Sequence, residues 1–203
     1  MITDVAVDID GVLFDFATTV QKHFSEYFQT AFPKPNTWEF YEHWNLSAKQ
    51  FYDTLDLLTD ERDLFNDSAP LPKTMVGWQA LREQGLRIHI ITHRSPTAYA
   101  QTIKWLERYR LIPDTLHFSG QKADIINALA VDECASIDDH VFQYNEYRDS
   151  GVHGYLYTQP WNDQYAGRRV NTLPEFANII KTHNEYWKME HDNTLMEIGN
   201  GVR

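Results

Sequence analysis

The sequence predicts an α/β fold in which a parallel, Rossmann-like sheet carries helices on both faces. Three observations support this fold class: short apolar runs recur along the chain, helical patterns lie between them, and turn residues separate the two. Strands that alternate with helices in this way form parallel sheets, because each crossover helix returns the chain to the same edge. An all-helical stretch between residues 16 and 72 interrupts the alternation.

Five apolar runs without a helical period are the predicted strands. They cover residues 5–9, 86–91, 115–118, 134–137 and 154–157. The predicted helices of the core cover residues 73–84, 95–109, 121–130, 139–149 and 174–182. Gly85 is a suitable C-cap for the first of these helices, and Ser95-Pro96 supplies an N-cap and first position for the second.

Helical periods alone occupy the stretch after the first predicted strand, at residues 16–30 and 47–58. The second of these opens with Ser47 and Gln50 in capping-box spacing. We therefore predict a catalytic core formed by residues 1–15 and 73–182, a helical cap at 16–72, and a C-terminal tail at 183–203. The polar tail is expected to form a terminal helix that frays.

Charge and composition narrow the classes of function. The net charge of −11 disfavours binding to nucleic-acid polymers and anionic membranes, which depends on lysine and arginine. Cys134 is the one cysteine of the 203 residues, so no internal disulfide can form. Neither a signal peptide nor a membrane-spanning run is evident, so we expect a soluble cytoplasmic protein. The oligomeric state stays open, with a homodimer as one option.

The main chemical signal is the pair Asp8 and Asp10, directly after the first predicted strand and before Gly11. Side chains alternate along a strand, so the two carboxylates would point the same way at the sheet edge where ligands bind. A divalent cation would relieve their repulsion, and one acid could attack phosphorus while the other transfers a proton. The alternative is that both acids merely end the strand and cap the next helix.

Three later sites lie where the same reaction needs them: Thr92, Lys122 and the pair Asp138-Asp139. Thr92 ends the second strand, where a hydroxyl can bind a phosphoryl oxygen, and His93 and Arg94 follow it. Lys122 opens a helix, a position that the helix dipole disfavours for a cation, which hints at an anionic partner. Each residue also has a plain structural interpretation: a turn hydroxyl for Thr92, and solvated surface cations for Arg94 and Lys122.

Asp138 and Asp139 end the fourth predicted strand. Adjacent acids at the carboxyl edge of a sheet suit a hard cation such as Mg²⁺, although they could also cap the following helix. The predicted metal ligands are therefore Asp8, Asp10 through its main-chain carbonyl, and Asp138 or Asp139. The nine histidines show no metal-binding spacing, and His89, inside a predicted strand, is expected to be structural.

The ordered set of Asp8-x-Asp10, Thr92, Lys122 and Asp138-Asp139 resembles the four motifs of the haloacid dehalogenase superfamily. The resemblance covers roughly residues 1–160 as the elements are ordered. It implies that Asp8 is the nucleophile and Asp10 the acid–base, because the dehalogenase branch lacks the second acid. The insertion at 16–72 is similar to the helical cap of many members.

A closer resemblance is to the 5′(3′)-deoxyribonucleotidase family. It rests on three segments: residues 8–16, reading DIDGVLFDF, residues 136–139, reading SIDD, and residues 157–162, reading YTQPWN. The family's first segment ends in a phenylalanine that helps to hold the base, and Phe16 is the matching residue. Two departures occur: His93 and Arg94 interrupt the family's Thr-Ser-Pro, and His140 stands where arginine is common.

The cap is rich in aromatic residues, with Trp38, Tyr41 and Trp44 in one short stretch. They could form the cap's own core, or a stacking platform for a nucleobase together with Phe16. The predicted function is a Mg²⁺-dependent phosphomonoesterase acting on a small phosphorylated metabolite, in the first place a (deoxy)nucleoside monophosphate. The alternatives are a phosphatase for a sugar phosphate, a catalytically silent phosphate-binding regulator, and a nucleic-acid 3′-end phosphatase, which the charge disfavours.

Overall fold

The computed structural model describes residues 1–200, with side chains described as far as His191. Six strands form one parallel sheet in the order β3-β2-β1-β4-β5-β6. The strands are β1 (Asp4–Val7), β2 (Arg87–Thr92), β3 (Thr115–Phe118), β4 (Cys134–Asp138), β5 (His153–Tyr157) and β6 (Arg169–Val170). The predicted fold class is confirmed. The two-residue β6 was not predicted, because so short a run carries no hydrophobic pattern.

Eight α-helices are described within residues 1–200. They are α1 (Phe16–Phe28), α2 (Phe40–His43), α3 (Ala48–Arg62), α4 (Thr74–Glu83), α5 (Tyr99–Arg108), α6 (Lys122–Ala128), α7 (Val141–Asp149) and α8 (Leu173–Asn200). The predicted capping box of α3 is confirmed, since Ser47 and Gln50 exchange side-chain and backbone hydrogen bonds. In the described part of the chain, no helix has the length and apolar character of a membrane span.

The C-terminal helix is longer than predicted. It does not end near residue 182 but continues to Asn200, so most of the predicted tail is regular helix. Asn184 explains why the helix continues along the core: its side-chain amide donates to the Ile2 carbonyl and accepts from the Ile2 N–H, both at 2.8 Å. We predicted fraying for the last residues of the chain, and residues 201–203 lie outside the part of the chain that the structure describes.

The register of the central strands brings the chemically important positions to one edge. Val7 of β1 lies opposite Ile90 of β2 and Ile137 of β4, and Asp8 donates its N–H to the Ile137 carbonyl at 3.1 Å. The strand order reverses between β1 and β4, and ligands of open α/β sheets bind in the crevice at such a point. The carboxyl ends of both strands carry the predicted acids.

Two main apolar clusters lie on either side of that edge. One fills the space between the sheet and the helices α4, α5 and α8, with β1 fully buried at its centre. The other packs α1, α2 and α3 around Phe24 and Phe51, and the core contributes Ala98 to it. The separate cluster supports treating 16–72 as a cap, while the exact domain boundaries stay a prediction.

Candidate active site

Three predicted residues meet at the carboxyl ends of β1 and β4. Lys122, the first residue of α6, is buried, and its Nζ lies 2.8 Å from Asp8 Oδ1 and 2.7 Å from Asp138 Oδ2. The other oxygen of Asp138 accepts the N–H of His140 at 2.9 Å. A lysine bridging two acids is not a solvated surface cation. Its position at the helix start is explained by these two anionic partners.

Asp139 lies on the other side of the site, against the turn that follows β1. Its carboxylate packs on Gly11, where an added Cβ would lie 2.0 Å from Asp139 Oδ2. Gly11 also has a φ of +75°, a conformation that side chains disfavour, so only glycine fits here. Asn162 holds Asp139 from behind, because its side-chain Nδ2 donates to the Asp139 carbonyl at 2.7 Å.

Burial and crowding change the protonation of this cluster. Burial, together with the charges of Asp138 and Asp10, raises the pKa of Asp8 to about 7, although Lys122 opposes the rise. Burial and the charges of Asp138 and Asp8 likewise raise the pKa of Asp139 well above its ordinary value. Burial alone would lower the pKa of Lys122, but Asp138 and Asp8 raise it, so Lys122 stays charged.

The cluster fits a hard divalent cation. Oxygens of Asp8, Asp138 and Asp139 lie within 4.8 Å of one another, and all three residues are buried. Asp139 Oδ1 is buried without a hydrogen-bond partner among the described residues, which is costly unless a ligand supplies one. An all-oxygen donor set of this charge suits Mg²⁺ rather than softer metals. The residues present therefore fit the predicted metal.

Arg94 is committed to Asp10 rather than to open solvent. Its Nε donates to Asp10 Oδ2 at 2.9 Å and its Nη2 to Oδ1 at 2.6 Å, a two-pronged ion pair. The third nitrogen, Nη1, donates to the Thr102 hydroxyl at 3.0 Å. The guanidinium is buried between the rings of Phe14 and Phe65, 4.7 and 4.3 Å from their centroids. The surface interpretation of Arg94 is therefore wrong.

Thr92 and His93 have different positions. Thr92 is completely buried, its Oγ1 accepts the Arg94 N–H at 3.3 Å, and it does not line the cavity described below. His93 does line that cavity, and its ring packs against Gly120, where an added Cβ would lie 2.8 Å from Nε2. The structure thus brings His93, but not the Thr92 side chain, to the cavity wall.

A cavity of about 520 Å³ opens above the acids, between the core and the cap. Phe16, Trp38 and Tyr41 lie in its wall, as do Asp8 and Lys122 at its floor. The size is that of a small-molecule site.

Trp44 was a predicted residue of the substrate pocket, but it does not line this cavity. It is buried in the cap, where its ring stacks on Phe32 at a centroid distance of 4.9 Å and its Nε1 donates to the Pro33 carbonyl. It belongs to the cap core.

Several residues of the cavity wall escaped the sequence analysis. His140 stacks on Trp38 of the cap, with centroids 4.1 Å apart and an interplanar angle of 18°, and Trp161 meets Trp38 edge-on. Phe65 lies parallel to Phe16 at 6.2 Å. His140 and Trp161 occur in segments that the family resemblance had marked, but Phe65 carries no signal, because its place depends on how the cap folds back.

Comparison with known proteins identifies the family. The profile described as "5′ nucleotidase, deoxy (Pyrimidine), cytosolic type C protein" matches residues 1–183. The chain belongs to this family. A predicted 5′(3′)-deoxyribonucleotidase of Chlorobaculum tepidum is 30% identical over 131 residues, which cover 60% of this chain and 64% of that protein. The match thus spans slightly less than two thirds of this relative.

Solved structures agree with the fold. A phosphonoacetaldehyde hydrolase-like protein of Oleispira antarctica has a TM-score of 0.65 at 13% identity, covering 91% of this chain and 93% of its own. CbbY of Rhodobacter sphaeroides, solved with phosphate, has a TM-score of 0.61 at 14% identity, covering 86% and 96%. The L-2-haloacid dehalogenase of Xanthobacter autotrophicus has a TM-score of 0.58 at 13% identity, covering 89% and 99%. These likenesses confirm that the chain shares the α/β fold of these proteins.

Proposed function

We propose that this protein is a Mg²⁺-dependent phosphomonoesterase that hydrolyses (deoxy)nucleoside monophosphates through an aspartyl-phosphate at Asp8. One observation carries the proposal: Asp8, Lys122 and the Asp138-Asp139 pair converge at the floor of a cavity lined with aromatic rings. Family membership supports the nucleotide substrate, and the relative's name points the same way.

Asp8 is the proposed nucleophile. Its carboxylate attacks the phosphorus, the bond from phosphorus to the leaving oxygen breaks, and the phosphoryl group is transferred to Asp8. Lys122 stands 2.8 Å from Asp8 Oδ1, close enough to neutralise charge on both the nucleophile and the transferring group. Because Lys122 is buried, its charge acts in a poorly screened environment.

Asp10 is the proposed acid–base. It protonates the leaving oxygen in the first half-reaction and accepts a proton from water in the second, which hydrolyses the acyl-phosphate. The two-pronged ion pair with Arg94 fixes the orientation of the Asp10 carboxylate. Arg94 is therefore proposed to position Asp10, besides adding positive charge near the phosphate.

The proposed metal ligands are Asp8, the Asp10 main-chain carbonyl, and Asp138 or Asp139. Bound Mg²⁺ would supply positive charge that favours ionised Asp8 and offsets the charge of the phosphate. Of the predicted phosphate ligands, His93, Arg94 and Lys122 line the cavity and are carried into the proposal, whereas the Thr92 side chain does not reach the cavity wall. Lys122 has the strongest structural support among them, because it is buried, charged and open to the cavity.

The upper part of the cavity supports a flat, apolar leaving group. Phe16, Trp38 and Phe40 offer ring surfaces there, and base–aromatic stacking contributes about 1–3 kcal/mol per base. A sugar phosphate has no flat ring that could stack on these side chains. The stack of Trp38 on His140 joins cap and core beside the acids. In the proposed function the cap closes over the substrate and excludes bulk water.

A metal-dependent substrate screen tests this proposal. Phosphate release would be measured with and without Mg²⁺, on deoxy- and ribonucleoside monophosphates, sugar phosphates and p-nitrophenyl phosphate. The expected result is Mg²⁺-dependent turnover with kcat/KM at least about 10-fold higher for nucleotides than for sugar phosphates. A preference for sugar phosphates would contradict the proposed substrate class but would agree with the proposed reaction. No release from any ester would instead favour the silent regulatory protein.

A further inference from the structure

Two histidines and a glutamate meet at the end of the sheet opposite the acidic cluster. Glu133 immediately precedes β4, His153 is the first residue of β5, and His183 lies on α8. The Nε2 atoms of His153 and His183 lie 3.1 and 3.0 Å from the same oxygen, Glu133 Oε1. No local sequence pattern predicts this group, because its members are far apart along the chain.

We propose that Glu133, His153 and His183 form a second metal site, which binds Zn²⁺ or a similar transition-metal ion. One ligand atom from each residue lies within 4.8 Å of the others. Two imidazole nitrogens and one carboxylate oxygen are a donor set that zinc sites use, with water in a fourth position. The two nitrogens make the site unsuited to Mg²⁺, which prefers oxygen ligands.

The surroundings hold the three ligands in place. His153 is fixed by the pairing of β5 with β4, where it lies opposite Ala135. The Glu133 carbonyl accepts the Thr3 N–H at 3.3 Å. Asn184, the neighbour of His183, is tied to the Ile2 backbone by two hydrogen bonds. Ligands on such rigid elements lose little freedom when a metal binds, which favours affinity.

The site is open enough for an ion to enter. The side chains of Glu133, His153 and His183 are 26%, 31% and 36% exposed, so water can reach the vacant coordination position. The second oxygen of Glu133, Oε2, is engaged by the amino group of Met1, which leaves Oε1 to face the imidazoles. A metal would take the place of the Nε2 hydrogens that face this oxygen, and each neutral imidazole would then carry its hydrogen on Nδ1.

Such an ion would connect the long helix α8 to the sheet at a distance from the reaction. The inference does not depend on the proposed function, because it uses none of the residues assigned to catalysis. Its expected consequence is stability: an ion that binds the folded state alone raises the melting temperature. At a concentration 100-fold above Kd, the increase would be roughly 5–10 °C for a chain of this size.

The test is a Zn²⁺ titration of the metal-free protein in excess Mg²⁺, which occupies the acidic cluster. Binding would be followed by calorimetry and by melting temperature, and Co²⁺ absorption would report nitrogen ligands. We expect one Zn²⁺ per chain at micromolar Kd or tighter. His183→Ala and His153→Ala should each weaken it at least about 10-fold. His191→Ala is the matched control, because His191 lies on the same helix outside the cluster.

Two outcomes would overturn the proposal. One is a wild-type protein with no Zn²⁺ binding in excess Mg²⁺, which would leave the group as a hydrogen-bonded ion-pair network only. The other is unchanged affinity in both His153→Ala and His183→Ala, which would place the ion elsewhere. Circular dichroism checks that the variants fold, and Glu133→Gln, which keeps the shape of the side chain, serves as a further ligand variant with the same expected loss.

Discussion

Strand β1 carries a buried aspartate at each end, and the two differ in their partners. Asp4, its first residue, accepts hydrogen bonds from Thr3 and Arg87 and lies 2.8 Å from His89 Nε2. Asp8, just past its last residue, has Lys122 as its ion-pair partner and shares the site with other acids. Asp4 thus lies among hydrogen-bond donors, whereas Asp8 lies among other acids.

The pKa shifts of the two aspartates have opposite directions. Burial alone would raise the pKa of both. Hydrogen bonds from His89, Thr3 and Arg87 outweigh burial for Asp4 and lower its pKa, whereas burial and neighbouring acids raise that of Asp8 to about 7. A buried acid with enough donors stabilises the fold, while one without them is poised for a cation or a reaction. The expected structural role of His89 is confirmed by these contacts.

Replacement of Asp8 should give the largest effect. Asp8→Asn removes the nucleophile with little change in shape, so Mg²⁺-dependent phosphate release should fall at least about 10³-fold. Asp4→Asn, the same change at the other end of β1, is the matched control and should keep turnover within about 2-fold. The melting curve of Asp8→Asn should show a folded protein. Substantial turnover in this variant would refute the assignment of Asp8.

Replacement of Arg94 tests whether Asp10 needs its ion-pair partner for catalysis. If Arg94 positions Asp10, Arg94→Ala should lower kcat about 10- to 100-fold with little change in KM. Arg94→Lys should not restore it, because lysine cannot make the two-pronged contact. Added guanidinium should restore part of the loss in the alanine variant. A rise in KM at unchanged kcat would mean that Arg94 acts only through its charge near the phosphate and does not position Asp10.

The pH dependence of Mg²⁺ binding compares the two ends directly. Protons compete with the metal for Asp8, whose pKa is about 7 in the metal-free protein. Mg²⁺ affinity should therefore be about 10-fold weaker at pH 6 than at pH 8, and calorimetry across buffers should show proton release on binding. Asp4→Asn should leave this dependence unchanged. Affinity that is flat between the two pH values would contradict the raised pKa.

Asp4 should matter for stability and little for activity. Asp4→Asn loses charge-assisted hydrogen bonds in a buried position, which should lower the free energy of unfolding by about 1–3 kcal/mol in a denaturant titration. Since the folded pKa of Asp4 lies below the ordinary 3.8, this stabilisation is present above pH 4 and is lost as the pH falls below it. The difference in the free energy of unfolding between wild type and variant should therefore shrink in acid. A difference that does not change with pH would contradict a stabilising role for the Asp4 charge.

The sequence by itself determined the parallel sheet, the positions of five of its six strands and the acid residues at the strand ends. These features depend on local hydrophobic patterns and on the rule that parallel strands end at one edge. Phe16, Trp38 and Tyr41 were only candidates for the substrate pocket from the sequence, and the structure places all three in the cavity wall. Local patterns could not fix the end of α8, because Asn184 holds that helix through contacts with Ile2, 182 positions away.

Tertiary structure alone decided which side chains meet. It paired Arg94 with Asp10, buried Trp44 in the cap instead of the cavity, and brought His153 and His183 to Glu133. Each of these contacts joins segments whose relative positions come from packing of the whole chain. Burial then sets the chemistry, because it strengthens charges and penalises polar atoms that lack partners, and neither effect can be calculated from a linear sequence.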